Sequence, residues 1–426
     1  MKLTILAIGS QGDVQPYAAL GRALTRAGHD VSLASHETFR ALAKRCGLGF
    51  SLVAGNPMDI VRGKEGQSWL SSSDSYVSFL SRAKKMAADL YPQISRDALC
   101  AAQGSDALIF SLPLSVCGYS VAAALRIPGI PAALYPLHPT GAFPSIMAPK
   151  LSFGRTVNWL SGAGVMALYW GIVRSLLGDF HKAQGLGPMP RQAPLWAMEK
   201  EGLPFLYGYS PTVIPKPSRW PSKRVVCGYW FLEDDPEWKP DSRLADFLQD
   251  GPPPVYVGFG SMASGDPAAM TRTILHALQR TGQRAVLSTG WGGFQSNDLP
   301  RSVLPVGFVP HDWLLARVSI AVHHGGAGTT ASVLKAGAPS IVVPFFADQF
   351  FWGKRVCDLG VGTAPIPRKD LSAESLTRAI TSVLESRSMT ARARSLADAI
   401  RAEDGAAVGV SAVEDYLRSA TRRRIA

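Results

Sequence analysis

Paired cysteines are missing from this chain. The five present, Cys46, Cys100, Cys117, Cys227 and Cys357, lie far apart with no CxxC spacing. That excludes a disulfide framework and a cysteine-rich zinc site, and it favours a reducing compartment. No basic run is interleaved with aromatic residues, so a nucleic-acid partner is not expected. No repeat with the period of a solenoid unit occurs. Charged residues make up only 18% and hydrophobic ones 46%, a globular and not a disordered balance. The apolar run at the N-terminus is too short for the core of a signal peptide and reads as a buried first strand. The 426 residues are enough for two or three domains of about 100–200 residues.

The net charge is +12 and is unevenly placed. Residues 1–219 carry 21 basic and 12 acidic side chains, and residues 220–426 carry 23 and 20. The positive excess of the first half suits solubility or contact with an anionic membrane surface.

The apolar periodicity predicts strands at 2–9, 30–35 and 50–53. Helices are expected at 16–27, starting at Pro16, and at 38–46. A loop over 10–15 carries Asp13. This βαβαβ pattern implies a parallel sheet with right-handed crossovers. Residues 107–125 contain no charge. Pro113, Gly118 and several serines interrupt them, so a buried strand and helix fit better than a membrane span. Residues 157–173 are apolar, with Trp159, Tyr169 and Trp170. They line an apolar pocket, touch a membrane, or form a core helix. Nine prolines between 211 and 254 read as an extended linker. Alternation resumes with strands at 255–260, 284–288, 320–323 and 340–345 and helices at 267–280 and 329–336. The expected architecture is α/β, with two Rossmann-like, doubly wound parallel-sheet domains at 1–219 and 220–405. A last helix within 406–426 packs back towards the first domain. Such halves place a ligand cleft between them, at the carboxyl ends of their strands.

The richest segment is His323-His324-Gly325-Gly326-Ala327-Gly328-Thr329-Thr330. It follows an apolar strand and opens a helix. Small residues let the backbone approach an anion, and the exposed N–H groups at a helix start favour phosphate. Gly326, Gly328 and Ala331 also match GxGxxA, with Asp348 at the spacing of a ribose-binding acid. A nicotinamide-dependent oxidoreductase is therefore a rival reading, although the motif lies deep in the second half. Asp13 is either a carboxylate that takes a proton from a hydroxyl or a helix cap.

Four segments occur in order: Gly-Ser-Gln-Gly-Asp-Val-Gln-Pro-Tyr (9–17), Val-Pro-His-Asp-Trp-Leu (309–314), the His-His-Gly-Gly-Ala-Gly-Thr-Thr run (323–330) and Pro-Phe-Phe-Ala-Asp-Gln-Phe-Phe-Trp-Gly (344–353). Together they resemble family 1 glycosyltransferases of the GT-B fold, and the sterol glucosyltransferase branch in particular. Rhamnolipid-type and glycopeptide-antibiotic transferases are similar. The resemblance implies that Asp13 is the general base on the acceptor hydroxyl. Plant relatives orient a histidine there with a second aspartate, and Ser111 stands in that aspartate's place, so no dyad is expected. His323 would bind the donor diphosphate with the amides around Gly325, Gly326, Gly328 and Thr329. Phe308 would stack on the base, with the Val309 backbone at its edge. Asp348 and Gln349 would hold sugar hydroxyls, and Ser261 would lie near phosphate or ribose. The plant branch has a ribose-binding glutamate where this chain has Ala331.

The resemblance also implies an inverting, metal-independent transfer. UDP-glucose is the expected donor, with dTDP sugars as the alternative. The donor is a co-substrate, and no bound cofactor or metal is expected. The acceptor would be a lipophilic alcohol: a sterol, a lipid or a natural-product aglycone. Its pocket would draw on residues 135–140 and 157–177, with His138 either lining it or structural. The expected setting is cytoplasmic, with peripheral contact at the membrane's inner face. A nucleotide-sugar-binding protein without turnover is the non-enzymatic alternative.

Overall fold

The computed structural model describes residues 1–55, 76–148, 154–189, 202–233, 237–260, 267–288 and 299–425, together with 191, 196 and 199. The chain divides into two compact units.

The first unit begins β1 (Lys2–Leu6), α1 (Gln11–Arg26), β2 (Asp30–Ser35), α2 (Arg40–Arg45), β3 (Gly49–Leu52) and α3 (Tyr76–Ala102). It continues with β4 (Ala107–Leu112), α4 (Gly118–Leu125), β5 (Gly129–Ala133), α5 (Arg155–Ala183), β6 (Phe205–Tyr207) and β7 (Arg224–Val226). The strands form one sheet in the order β3-β2-β1-β4-β5-β6-β7, all parallel. A parallel sheet covered on both faces needs strands that are apolar throughout. β4 meets that demand: all six of its residues are buried.

The second unit holds α6 (Ser242–Gln249), β8 (Val255–Gly258), α7 (Pro267–Thr281), β9 (Ala285–Ser288), β10 (Val303–Val306), α8 (His311–Leu315), β11 (Ile320–His323) and α9 (Ala327–Ala336). Then come β12 (Ser340–Val342), α10 (Gln349–Asp358), α11 (Ala373–Glu385) and α12 (Arg387–Arg401). Its parallel sheet has the order β10-β9-β8-β11-β12. Alternate residues point to opposite faces. Val255, Val257, Ile320 and Val322 pack with Ile274 of α7 and Ile380 of α11. Tyr256, Val286 and Ala321 pack with Leu314 of α8 and Val333 of α9. Both sheets reverse their winding beside the central strand pair, between β1 and β4 and between β8 and β11. The carboxyl end of such a switch point is where open α/β sheets take ligands.

The last helix, α13 (Gly405–Ile425), belongs to the first unit. Val413 and Leu417 join the core containing Leu20 and Leu24 of α1. The first unit runs to Leu232, beyond Arg219, and resumes at Glu403. Side chains pin both crossings to it. Trp230 stacks edge-on to Tyr17, with ring centroids 5.5 Å apart, and donates Nε1–H to Gly405 O at 3.1 Å. Glu403 accepts from the hydroxyls of Ser210 and Thr212, each at 2.7 Å.

Local expectations needed three corrections. The proline-rich stretch is not an extended linker. It contains edge strand β7 and α6, and Val213, Ile214 and Trp220 within it are buried. The prolines lie outside β7, where no ladder N–H is lost. The expected loop over 10–15 is largely the first turn of α1, so Pro16 sits inside a helix that Ser10 and Asp13 start earlier. α9 likewise begins at Ala327, which puts Gly328 and Thr329 within its first turn.

Candidate active site

The first site forms where β1 ends and α1 begins. Ser10 occupies the N-cap position and Asp13 the third residue of the helix. Asp13 Oδ2 accepts from the Ser10 backbone N–H at 2.8 Å and from Ser10 Oγ–H at 2.7 Å. This closes the first turn in the manner of a capping box. Gly9 makes room for it. Its φ is +131°, and a Cβ there would lie 2.7 Å from Asp13 Oδ2. The helix-cap and functional readings of Asp13 are therefore compatible, since the cap uses one oxygen. Burial raises the Asp13 pKa above the ordinary carboxylate range, and the Ser10 bonds pull it part of the way back. A raised pKa makes a stronger base.

No second acid supports Asp13 from β4. Ser111 is buried and shares a 2.7 Å hydrogen bond with Ser115. Tyr17, one turn along α1, donates its hydroxyl to Ala132 O at 2.9 Å. His138 is buried, with Nδ1 2.5 Å from the Tyr207 hydroxyl, and it packs edge-on against Trp196, Phe205, Tyr207 and Trp220. Its Nε2 lies 3.4 Å from Glu199, which also pairs with Arg224. Burial holds the His138 pKa well below its ordinary value, and Arg224 adds to this, so the imidazole is neutral and the Glu199 contact is no ion pair. It is a structural histidine of the aromatic core.

The second site forms at the β8/β11 switch point. His323 ends β11, pairs in register with Gly258 of β8 and Val342 of β12, and is fully buried. Its Nδ1 accepts the Gly325 N–H at 3.2 Å. Burial, with smaller contributions from His324 and His311, pushes its pKa down to about 3. The ring is therefore neutral with its proton on Nε2. That Nε2–H is buried and has no hydrogen-bond partner among the described residues. An unmet buried donor costs about 1–3 kcal/mol, a cost that an acceptor atom of a ligand at the start of α9 would recover.

The backbone beside His323 is shaped by Gly325. Its φ is +87°, and a Cβ would lie 2.6 Å from Val342 Cγ1 and 3.0 Å from Gln349 O. No other residue type fits both demands. Gly326 is the N-cap of α9 and supplies no side-chain cap. The N–H groups of Ala327, Gly328 and Thr329 thus lack intrahelical acceptors, as first-turn amides do. Thr330, the next residue, is buried, and its Oγ1 has no partner among the described residues. His324 lies between Gly260 and Gly326, and burial pushes its pKa down to about 4, with His311 adding to the effect. His311 Nε2 is 3.3 Å from the Tyr256 hydroxyl.

The remaining expected residues fall on two neighbouring turns. Phe308, between β10 and α8, is 76% exposed, the most exposed large apolar side chain among the described residues. Val309 beside it packs against the core and holds the turn. Gln349 opens α10 and is buried, with Oε1 accepting from the N–H groups of Phe345 at 2.8 Å and Phe346 at 3.3 Å. That oxygen is committed to shaping the loop. Asp348 stands at the N-cap position of α10 without a side-chain cap bond, and it accepts from Trp352 Nε1 at 3.1 Å through Oδ2. Ala347 before it has φ +54°, a left-handed conformation costing an alanine about 1 kcal/mol. Ala331 is buried within α9. Ser261 lies outside the described residues.

Ser10 was absent from the expected site residues, although Ser-x-x-Asp before an apolar run is a legible capping signal. His311 and His324 lay inside the quoted motifs, but only the fold shows them beside His323; Thr330 lay there too, and only the fold shows it buried in α9.

One consequence concerns stability against pH. In the unfolded chain His323 titrates near 6.5, and in the folded chain at about 3. Between these values the unfolded state binds a proton that the folded state refuses. The contribution of His323 to the stability of the second unit is thus full above pH 6.5 and declines as pH falls towards 3, by up to about 1.4 kcal/mol per pH unit. Urea unfolding monitored between pH 7 and about 4.5 should show the decline, and His323→Ala should make it shallower. A slope unaffected by that substitution would contradict a neutral buried His323.

Residues 3–143 match the glycosyltransferase family 28 N-terminal domain. Residues 288–412 match the C-terminal domain of proteins like erythromycin biosynthesis protein CIII. A sterol 3-beta-glucosyltransferase of Emericella nidulans is 36% identical over 440 residues, covering 100% of this chain and 31% of its own length. The chain thus spans about a third of the length of such fungal relatives. A sterol 3-beta-glucosyltransferase of Arabidopsis thaliana is 36% identical over 425 residues, covering 98% of this chain and 68% of its own length. Among solved structures, a calicheamicin glycosyltransferase superposes with a TM-score of 0.69 at 19% identity, covering 98% of each chain. That likeness establishes the GT-B fold. The nicotinamide reading of the GxGxxA match finds no support among these relatives. With both sheets, both motif-bearing turns and a 36% identity to the plant enzyme over 98% of this chain and 68% of that enzyme in agreement, the chain belongs to the sterol glucosyltransferase family of GT-B glycosyltransferases.

Proposed function

We propose that this protein transfers a hexose from a nucleoside diphosphate sugar to the hydroxyl of a lipophilic acceptor. Glucose and a sterol are the first candidates, because the relatives are named for them. The observation that carries the reading is the buried Nε2–H of His323, without a hydrogen-bond partner among the described residues, beside the start of α9, where Gly326 supplies no side-chain cap. A diphosphate oxygen satisfies both the imidazole and the first-turn amides.

The chemistry divides between the two units. In the first, Asp13 takes the proton of the acceptor hydroxyl as its oxygen bonds to C1 of the sugar. The C1–O bond to the diphosphate breaks, and the electron pair leaves with the phosphate. Attack from the face opposite the leaving group inverts C1, so an α-linked donor gives a β-linked product. In the second unit, His323 and the α9 amides hold the developing charge on the diphosphate. The exposed Phe308 offers a face to the nucleotide base, and Asp348 offers a carboxylate to sugar hydroxyls. Among the described residues, no three His, Cys, Asp or Glu side chains converge to hold a metal ion.

The test is direct. The chain is incubated with UDP-glucose or dTDP-glucose and a 3β-hydroxysterol, and the product is read by mass spectrometry and by the anomeric proton coupling. A β-glucoside from one donor supports the reading. An α-glucoside overturns the inverting mechanism. Tight nucleotide binding without any product, across sterol and other lipophilic alcohols, would make the protein a binder and not an enzyme.

A further inference from the structure

We propose that the outward face of α5 is a docking surface for an anionic lipid bilayer, lying in the plane of its headgroups. Helix α5 has 29 residues. One stripe is buried in the first unit: Asn158, Gly162, Met166, Trp170, Val173, Leu177 and His181, at steps of three or four. The face opposite such a stripe is normally charged. Here it is not. Leu160 and Leu168 are 55% and 39% exposed, and Gly164, Ala167 and Gly171 on the same face are exposed too; Trp159, in line with the buried stripe but at the first turn of the helix, is 47% exposed.

No charged residue occurs between Arg155 and Arg174, and both arginines are exposed. The helix is long and apolar enough to cross a membrane, yet only 28% of its most apolar stretch is buried. Its buried stripe ties it lengthwise to the unit, so it lies on a bilayer and does not cross one.

Neighbouring groups extend the patch. Leu114, after β4, is 43% exposed. Its carbonyl accepts from Tyr91 Oη of α3, and the Pro113 carbonyl accepts from Tyr169 Oη of α5, each at 2.6 Å. This fixes the apolar loop beside α5. Asn158 Nδ2 donates to Gly141 O at 3.2 Å, and Ser145 N–H donates to Ser161 Oγ at 2.9 Å. These bonds tie the start of α5 to the segment after β5. The patch therefore lies towards the carboxyl end of the first sheet, the end that carries Asp13.

Charge selects the occupant. The apolar stretch is bracketed by arginines, and residues 1–219 hold 21 basic against 12 acidic side chains. Leucines and small residues along the face, with arginines at both ends of the apolar stretch, suit an interfacial helix on anionic lipid. A lipid alcohol leaving such a bilayer would arrive at the end of the sheet where Asp13 stands. The docking surface itself does not depend on the reaction proposed above.

The test is co-sedimentation of the full chain with vesicles of phosphatidylcholine containing about 30% phosphatidylserine, against phosphatidylcholine alone. The double variant Leu160→Glu/Leu168→Glu changes only exposed positions, and an unaltered melting temperature checks its fold. Leu384→Glu, an exposed site on α11 of the second unit, is the control. The parent and the control should bind the anionic vesicles, and added salt should weaken them. The double variant should bind at least about tenfold more weakly. Failure of the parent to bind, or equal binding by the double variant, overturns the proposal. So does a dimer in sedimentation equilibrium that the double variant dissolves, because a second copy of the chain would then cover this face.

Discussion

Replacing Asp13 by asparagine should lower turnover by about 10²–10⁴-fold, the range of a general base. The variant separates the two jobs of this residue. An asparagine oxygen still accepts the Ser10 N–H, so the first turn of α1 survives, with a stability cost of no more than about 1 kcal/mol. The base, however, is gone. Ser10→Ala provides the complementary control. It removes the 2.7 Å hydroxyl bond to Asp13 Oδ2 and leaves the carboxylate in place. Turnover should then fall far less than in Asp13→Asn. The acid limb of the rate profile carries the same information. Asp13 must be ionised to take a proton, and burial raises its pKa. The rate therefore falls as pH drops through a value above the ordinary carboxylate pKa of about 4. Turnover kept by Asp13→Asn at an unchanged melting temperature would remove Asp13 from the reaction.

The second large effect is expected at His323. A hydrogen bond from a buried imidazole to a charged diphosphate contributes about 1.5–3 kcal/mol. His323→Ala should accordingly weaken nucleoside diphosphate binding by about 10–150-fold in calorimetry. Loss of affinity alone could come from a disturbed loop, because Gly325 N–H loses its acceptor. His323→Asn addresses this, since its side chain offers both an acceptor and a donor in a shorter reach. It should recover part of the loop order but little of the affinity. Equal affinity in parent and alanine variant would show that the diphosphate lies elsewhere, and the unmet Nε2–H would need another explanation.

Much of this protein is local and was readable without coordinates. A histidine at the end of an apolar run, followed by glycines and a helix, states its geometry in its own covalent chemistry. Gly325 permits the positive φ that its turn adopts, and first-turn amides lack acceptors in any helix. The alternating βα pattern, read from apolar periodicity, likewise implies parallel sheets.

Other features required the folded chain. The sheet orders place Asp13 and His323 each at a switch point, and strand order is a long-range property that periodicity does not encode. The proline-rich stretch looked like a linker because proline is punctuation, yet Trp220 and Trp230 are buried within the first unit. Only the anchors of Trp230 and Glu403 show where the units divide. His138 became structural once four aromatic rings surrounded it. The face of α5 was the least legible of all. An apolar helix reads alike whether it is a core element or an interfacial one, because sequence records side-chain chemistry. Which side is covered depends on what the rest of the chain packs against it.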